Sequence, residues 1–185
     1  ILVDQERRVR KANRAAIEFA NRPVEEVIGL RGGEALRCLH ALDDPAGCGF
    51  GPSCDECVVR HVVLDTFETG KSYRQVEATL SFIREGTPRE AHLLVSTTPV
   101  TVADSQLVLV SIEDVTTFKR TEEALRRGEE RYALAQRVAN IGSWDWDIQT
   151  GHLHWSDQIE PMFGFTAGEF AATYDNFLQS VHPED

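Results

Sequence analysis

Apolar positions alternate with polar ones in two long stretches of this chain and recur at helical spacing in the segments on either side. Val76, Ala78, Leu80 and Phe82 alternate, and so do Ala91, Leu93, Val95 and Thr97, with Glu85-Gly-Thr-Pro as the turn between them. Residues 107–112 are almost wholly apolar, which predicts a central strand buried on both faces. Upstream, 1–3 and 8–13 read as short strands. Asn13-Arg-Ala-Ala-Ile-Glu-Phe-Ala has helical spacing, Pro23-Val-Glu-Glu-Val-Ile-Gly is a Pro-started and Gly-ended short helix, and 34–39 predicts another. Residues 43–53 are rich in breakers and predict a loop. Ser53-Cys-Asp-Glu56 has capping-box spacing, and the helix it opens carries Val58, Val59, Val62, Val63 and Phe67 on one stripe until Gly70 ends it. Two strands, several small helices, a longer helix and three strands predict one mixed α+β domain over residues 1–116.

Residues 117–140 predict a charged helical linker. Phe118, Leu125, Tyr132 and Ala139 recur every seven positions, a narrow seam suited to a two-helix coiled coil. Beyond it, Ile141-Gly-Ser-Trp-Asp-Trp-Asp opens a new strand, Thr150-Gly151 turns it, and 152–155 pair back. Short helices follow, one opened by Thr166-Ala-Gly-Glu169. Residues 141–185 thus hold the opening of a second domain without its long strands. Trp144, Trp146, Trp155, Phe163, Phe165 and Phe177 load it with more apolar surface than so short a segment is expected to bury alone. The expectation is that this segment packs on the linker helix, on the first domain or on a second copy of the chain.

Charge narrows the classes of partner. The chain has 185 residues and a formal net charge of −11. Residues 141–185 contain acidic side chains and no Lys or Arg, a surface that repels phosphate backbones and argues against nucleic acid as a partner. No run of 18 apolar residues and no leader-like segment is present, so a cytoplasmic segment without membrane contact is expected. No paired carboxylates, Ser/His arrangement or Gly-rich phosphate loop has a supporting context, and no active site is expected in this fragment. His92, His152 and His154 alternate with apolar strand residues and read as surface positions.

Several of these segments resemble the PAS (S-box) family of sensory domains. The resemblance lies in Asn13-Arg-Ala-Ala with Val24-Glu-Glu-Val-Ile-Gly29, in Ser111-Ile-Glu-Asp-Val-Thr116 at the end of the last strand, and in Ile141-Gly-Ser-Trp-Asp-Trp-Asp-Ile with Met162-Phe-Gly-Phe. It implies a five-stranded antiparallel sheet flanked by small helices, a pocket on its inner face, and an effector domain in the same full-length chain. It also implies a signalling helix over 117–140 and a partial second PAS domain over 141–185. The expected role is a sensory and dimerising module of a multidomain signalling protein, a sensor histidine kinase first among them.

Cys38, Cys48, Cys54 and Cys57 all fall in the loop 38–57, where the PAS pattern usually runs directly from a small helix into the long one. Four cysteines in one window point to one shared site. Cys54 and Cys57 are expected in the first turn of a capped helix, where free N–H groups and the helix dipole favour the metal-binding thiolate. His61, four residues after Cys57, and His40, two after Cys38, are candidates to replace one cysteine. Zinc on a tetrahedral set, an iron–sulfur cluster on the same thiolates, and one or two disulfides acting as a redox switch all remain open, as do unligated thiols. Non-covalent haem on His61 is a weaker fit. Covalent haem lacks its histidine, since Val58 follows Cys57, and a flavin photosensor would need a different setting from Leu36-Arg-Cys-Leu-His. Two alternatives in function accompany these. One is a zinc-stabilised PAS interaction module of a cyclic-dinucleotide signalling protein. The other, a thiol–disulfide enzyme on Cys54 and Cys57, conflicts with the order of elements.

Overall fold

The computed structural model describes every residue except Glu85, Ala167, 170–172, Pro183 and Asp185. Residues Ile1–Arg120 form one compact unit and Thr121–Asp185 a second.

In the first unit β1 (Leu2–Val3), β2 (Val9–Lys11), β3 (Tyr73–Arg84), β4 (Thr87–Val102) and β5 (Ser105–Asp114) form one sheet. Its order is β2-β1-β5-β4-β3, and every pairing is antiparallel. The mixed α+β domain is the one the order of elements predicts, and its five antiparallel strands are what the PAS resemblance implies. On β4 the two-residue period puts Ala91, Leu93, Val95 and Thr97 on the buried face, with Val95 and Thr97 both at 0% exposure. The turn expected around Glu85 falls partly outside the described residues.

β5 is central but buried on one face only. Val108 and Val110 are buried, whereas Leu109 between them is 43% exposed. Its apolar run therefore does not mark burial on both sides. The small helices and the long one cover a single face, and an antiparallel sheet tolerates the other being open.

α1 (Arg14–Ala20), α2 (Val24–Val27) and α3 (Gly32–Ala35) precede two 3-10 turns, Leu39–Leu42 and Pro52–Cys54, and then α4 (Val58–Thr69). Asn13 caps α1 by accepting from the Ala16 N–H at 3.0 Å. The helix expected over 34–39 is instead broken at Arg37, whose φ of 56° leaves the right-handed region. α4 packs on β3, β4 and β5 through Val62, Val63 and Thr66, and Gly70 ends it in the left-handed conformation at φ 72°.

The start of α4 differs from the capping-box expectation. The Cys54 N–H closes on the Gly51 carbonyl and the Cys57 N–H on the Cys54 carbonyl. Cys57 is extended at ψ 108° and is itself the residue before the helix, without a side-chain cap. Pro52 favours a tight turn here, so Ser53 through Glu56 are spent on that turn rather than on the helix.

The second unit contains most of α5 (Thr116–Ala139), the hairpin β6 (Trp144–Trp146) and β7 (Leu153–Trp155), then α6 (Ile159–Met162) and α7 (Tyr174–Ser180). The hairpin pairs Trp144 with Trp155 and Trp146 with Leu153. Asp147 holds the turn by accepting the Gln149 and Thr150 N–H groups, which keeps its carboxyl below the usual range. The aromatic load is partly self-covering, against the expectation that other elements must cover it. Trp146 stacks on Tyr174 at 4.8 Å, and Trp155 packs on Phe163 at 5.6 Å and Phe177 at 6.3 Å. Trp144 stays 65% exposed. The Thr166 N–H donates to Glu169 Oε2 at 2.9 Å, as a capping box requires, but the helix expected there falls on 167 and 170–172, which lie outside the described residues; α7 is capped by Thr173.

Candidate functional site

A cavity of about 720 Å³ lies in the first unit, between the inner face of the sheet, α4 and the loop 38–57. Leu80, Leu93 and Val110 form its floor and Val59 and Val63 its α4 wall. All four cysteines line it. The single-site expectation therefore has a physical location, though not a point: among the described residues no three His, Cys, Asp or Glu side chains are grouped to hold one metal ion.

Backbone geometry carries the cysteines there. Cys38 bridges to Phe82 on β3, and the Ile83 N–H donates to the Arg37 carbonyl at 3.0 Å, so the loop is tied to the edge of the sheet where it begins. Gly33 then admits Cys48. A Cβ at residue 33 would stand 2.6 Å from the Cys48 Sγ and 3.4 Å from the Cys38 Cβ, so a side chain there would force Cys48 to shift. Gly47 and Gly49 take φ of 85° and 98° on either side of Cys48, in the region that favours glycine.

The Gly49 N–H donates to the Cys54 Sγ at 3.2 Å, and the Ala41 N–H donates to the Cys38 carbonyl at 3.1 Å. Burial pushes the Cys38 and Cys48 thiols above the ordinary thiol range, and nearby backbone N–H groups only partly offset it. Neither Cys54 nor Cys57 lies within the first turn of α4, where the spacing predicts both, although Cys57 stands at its N-cap. Cys54 belongs to the preceding turn and Cys57 to the residue before α4.

A prediction follows for metal-free protein. A thiol whose folded pKa is raised stabilises the fold fully below its unfolded value, and that contribution is lost as pH rises through the folded one. Urea midpoints measured between about pH 7 and about pH 10 should fall with pH, and a Cys38→Ala, Cys48→Ala double variant should lose that part of the slope. An identical slope in both proteins contradicts the assignment.

The histidines divide. His40 lines the cavity with its Nδ1 2.9 Å from Asp43 Oδ2. His61 is exposed on α4 and does not line the cavity. The His61 N–H donates to the Cys57 carbonyl at 3.0 Å, the one-turn relation that the spacing predicts, but of the two only Cys57 reaches the cavity. His92 alternates with the buried Ala91 and Leu93 on β4 and has its side chain 37% exposed, yet it too contributes to the lining of the cavity.

Sequence reasoning passed over Arg7, Arg60 and Gly33, which shape the site as much as the thiols do. Arg7 sits at φ 63° after β1, and its guanidinium reaches across Gly49, where any side chain would collide with it. Burial lowers its pKa, and the charges acting on it are those of Cys48, Arg60, Arg31 and Cys54. Arg60 lines the cavity with its Nε buried and without a hydrogen-bond partner among the described residues. In the sequence these are ordinary surface arginines, and no spacing singles them out.

The cavity is joined to the start of α5 through β4. Leu93 forms its floor, and on the adjacent residue the His92 carbonyl accepts the Val115 N–H at 2.9 Å while the His92 N–H donates to Thr116 Oγ1 at 2.9 Å. Asp114 Oδ1 accepts the Thr116 N–H at 2.9 Å, and Lys119 reaches Glu77 on β3 at 3.1 Å. One peptide unit of β4 therefore touches both the cavity and the helix that leaves the domain.

A family model described as the PAS fold matches residues 152–185. The chain is 26% identical over 77 residues to a probable diguanylate cyclase, DgcE, of Escherichia coli strain K12, a stretch covering 42% of this chain and 7% of that protein. A solved PAS domain of nitrogen regulation protein NR(II) from Vibrio parahaemolyticus is similar at 16% identity with a TM-score of 0.42, over 62% of this chain and 85% of that one. The match to the PAS-fold model is confined to residues 152–185, within the segment where the resemblance implies a partial second PAS domain, and the chain spans 7% of the length of the curated relative it matches. Among the described residues no helix is long and apolar enough to cross a membrane.

Proposed function

We propose that this chain is the sensory and dimerising module of a multidomain signal-transduction protein, in which Cys38, Cys48, Cys54 and Cys57 bind a metal or cluster and report its presence to the signalling helix. A histidine kinase is the favoured effector. The similarity to a probable diguanylate cyclase supports a cyclase as the second class. One observation carries the reading: the cavity lined by all four cysteines has as its floor the residue next to His92, which holds the first turn of α5. Occupancy of the cavity displaces Leu93, and a shift of that peptide is felt directly at Thr116.

The test is Cys57→Ser in the full chain. Metal content is expected to fall to the blank, and hydrogen exchange in 38–57 to rise, while the sheet keeps its protection. Exchange at 115–120 should differ between loaded and empty wild type. Identical exchange there in both states removes the sensory reading and leaves a structural site.

Dimerisation belongs to the same reading. Phe118, Leu125 and Tyr132 are 67%, 64% and 60% exposed, a seam at heptad spacing that a second copy would cover. Light scattering at tens of micromolar is expected to give a dimer for the wild type and a monomer for a Leu125→Lys, Tyr132→Lys variant. A wild-type monomer overturns the dimer.

A further inference from the structure

We infer that the cavity of the first unit takes a small organic acid, an apolar body bearing one carboxylate, with Arg60 and Arg7 as the groups that hold the carboxylate. Such a ligand needs no metal at the thiols and is independent of the reading above. At about 720 Å³ the cavity falls within the roughly 300–1,000 Å³ of small-molecule sites. Its floor and α4 wall are aliphatic, formed by Leu80, Leu93, Val110, Val59 and Val63. A ligand that displaces water from them must present hydrocarbon there, and a bare inorganic anion does not.

The polar part of the lining leaves positive charge unbalanced. Arg60 lines the cavity with its Nε buried and without a hydrogen-bond partner among the described residues. Its Nη1 lies 3.7 Å from Asp55 Oδ1, but that carboxylate is 84% exposed, and water screens the pair. Arg7 lines the same cavity, and the charges acting on it are those of Cys48, Arg60, Arg31 and Cys54, none of them a carboxylate. Burial raises the Cys48 thiol, which keeps it neutral at neutral pH and of no use as a counter-charge. Glu56 and Glu77 also line the cavity, but Glu56 is exposed and Glu77 is bound to Lys119 at 3.1 Å. The two guanidinium groups therefore repel each other across a space that holds no anion of its own. An arginine Nε and one Nη together form a planar fork that matches the two oxygens of a carboxylate. A carboxylate there gives the buried Nε its acceptor and offsets the repulsion, while the body of the acid covers the aliphatic floor.

Octanoate is the probe, titrated calorimetrically into the chelator-treated full chain. Octanol supplies the same body without the charge, and acetate the charge without the body. Octanoate is expected to bind about tenfold or more tighter than octanol, because a hydrogen-bonded charge contact is worth that much. Arg60→Gln should abolish the preference, and Arg7→Gln should reduce it and serves alone if Arg60→Gln unfolds. Equal affinity for octanoate and octanol, or no binding of octanoate, overturns the proposal. Acetate binding as tightly as octanoate overturns the apolar body, and an unchanged preference in both variants overturns the arginines. Metal content of Cys57→Ser reports on the metal reading alone, so either reading can fail without the other.

Discussion

Leu93→Ala is expected to lower the stability of the first unit by about 2–5 kcal/mol, the largest effect of any single substitution considered for this chain. Leu93 is 1% exposed in the middle of β4 and faces the core formed with Ala78, Val95 and Val110. Truncation removes its transfer free energy and leaves a void that opens into the adjoining cavity, so its neighbours gain little by relaxing. Against the roughly 5–15 kcal/mol that holds a domain together, such a loss is a large fraction. Thermal unfolding should shift down by on the order of 10–20 °C. Leu109→Ala, at 43% exposure on the other face of the sheet, is the control and should cost well under half as much. Equal losses at the two positions would contradict the one-sided burial of the sheet.

The second large effect concerns two buried hydroxyls. Thr66 on α4 donates to the Val62 carbonyl at 2.7 Å and lies 2.7 Å from the Thr97 hydroxyl on β4, and both residues are 0% exposed. Each hydroxyl is the other's partner where water cannot reach. Thr66→Val should therefore cost about 1–3 kcal/mol, because it strands the Thr97 hydroxyl without strongly altering volume. The double variant Thr66→Val, Thr97→Val removes both polar groups and should recover most of that loss. Urea midpoints for the four proteins form a double-mutant cycle. If the double variant is as unstable as the sum of the singles, the two hydroxyls are not coupled.

The sheet was legible because alternation needs only one inner face to declare itself. Ala91, Leu93, Val95 and Thr97 show it over four turns of the pleat, and burial follows them residue by residue. What misled was local chemistry read without its backbone. Leu109 looks like a core residue in an apolar run, yet the second face of the sheet is open. Ser53 and Glu56 have capping spacing, yet Pro52 and the extended Cys57 make that stretch a separate 3-10 turn before α4. At the candidate site the cysteines could be found by their clustering. Arg7, Gly33 and Arg60 could not, because their importance comes from β1, α3 and α4 meeting around one cavity, a relation between segments far apart in the sequence. The aromatic residues after 141 were legible as a burden, but their mutual stacking depends on the hairpin facing α7.

The order of the strands in space also sets the order in which this domain can be made. β5 is the middle strand and the last to leave the ribosome, and β1 pairs with it through Leu2 and Leu109, over a hundred residues apart. Until Asp114 has emerged, β1 and β2 have only each other, and the long β3–β4 hairpin presents one unpaired edge along the whole of β4. At a synthesis rate of about 5–20 residues per second, that edge waits on the order of a second after β4 is complete before its partner arrives. Its stretch Leu93-Leu-Val-Ser-Thr-Thr is apolar and β-branched, without a charge to discourage pairing with another nascent chain. The strand that closes the sheet is thus also the one that ends the interval in which the young chain is most prone to aggregate.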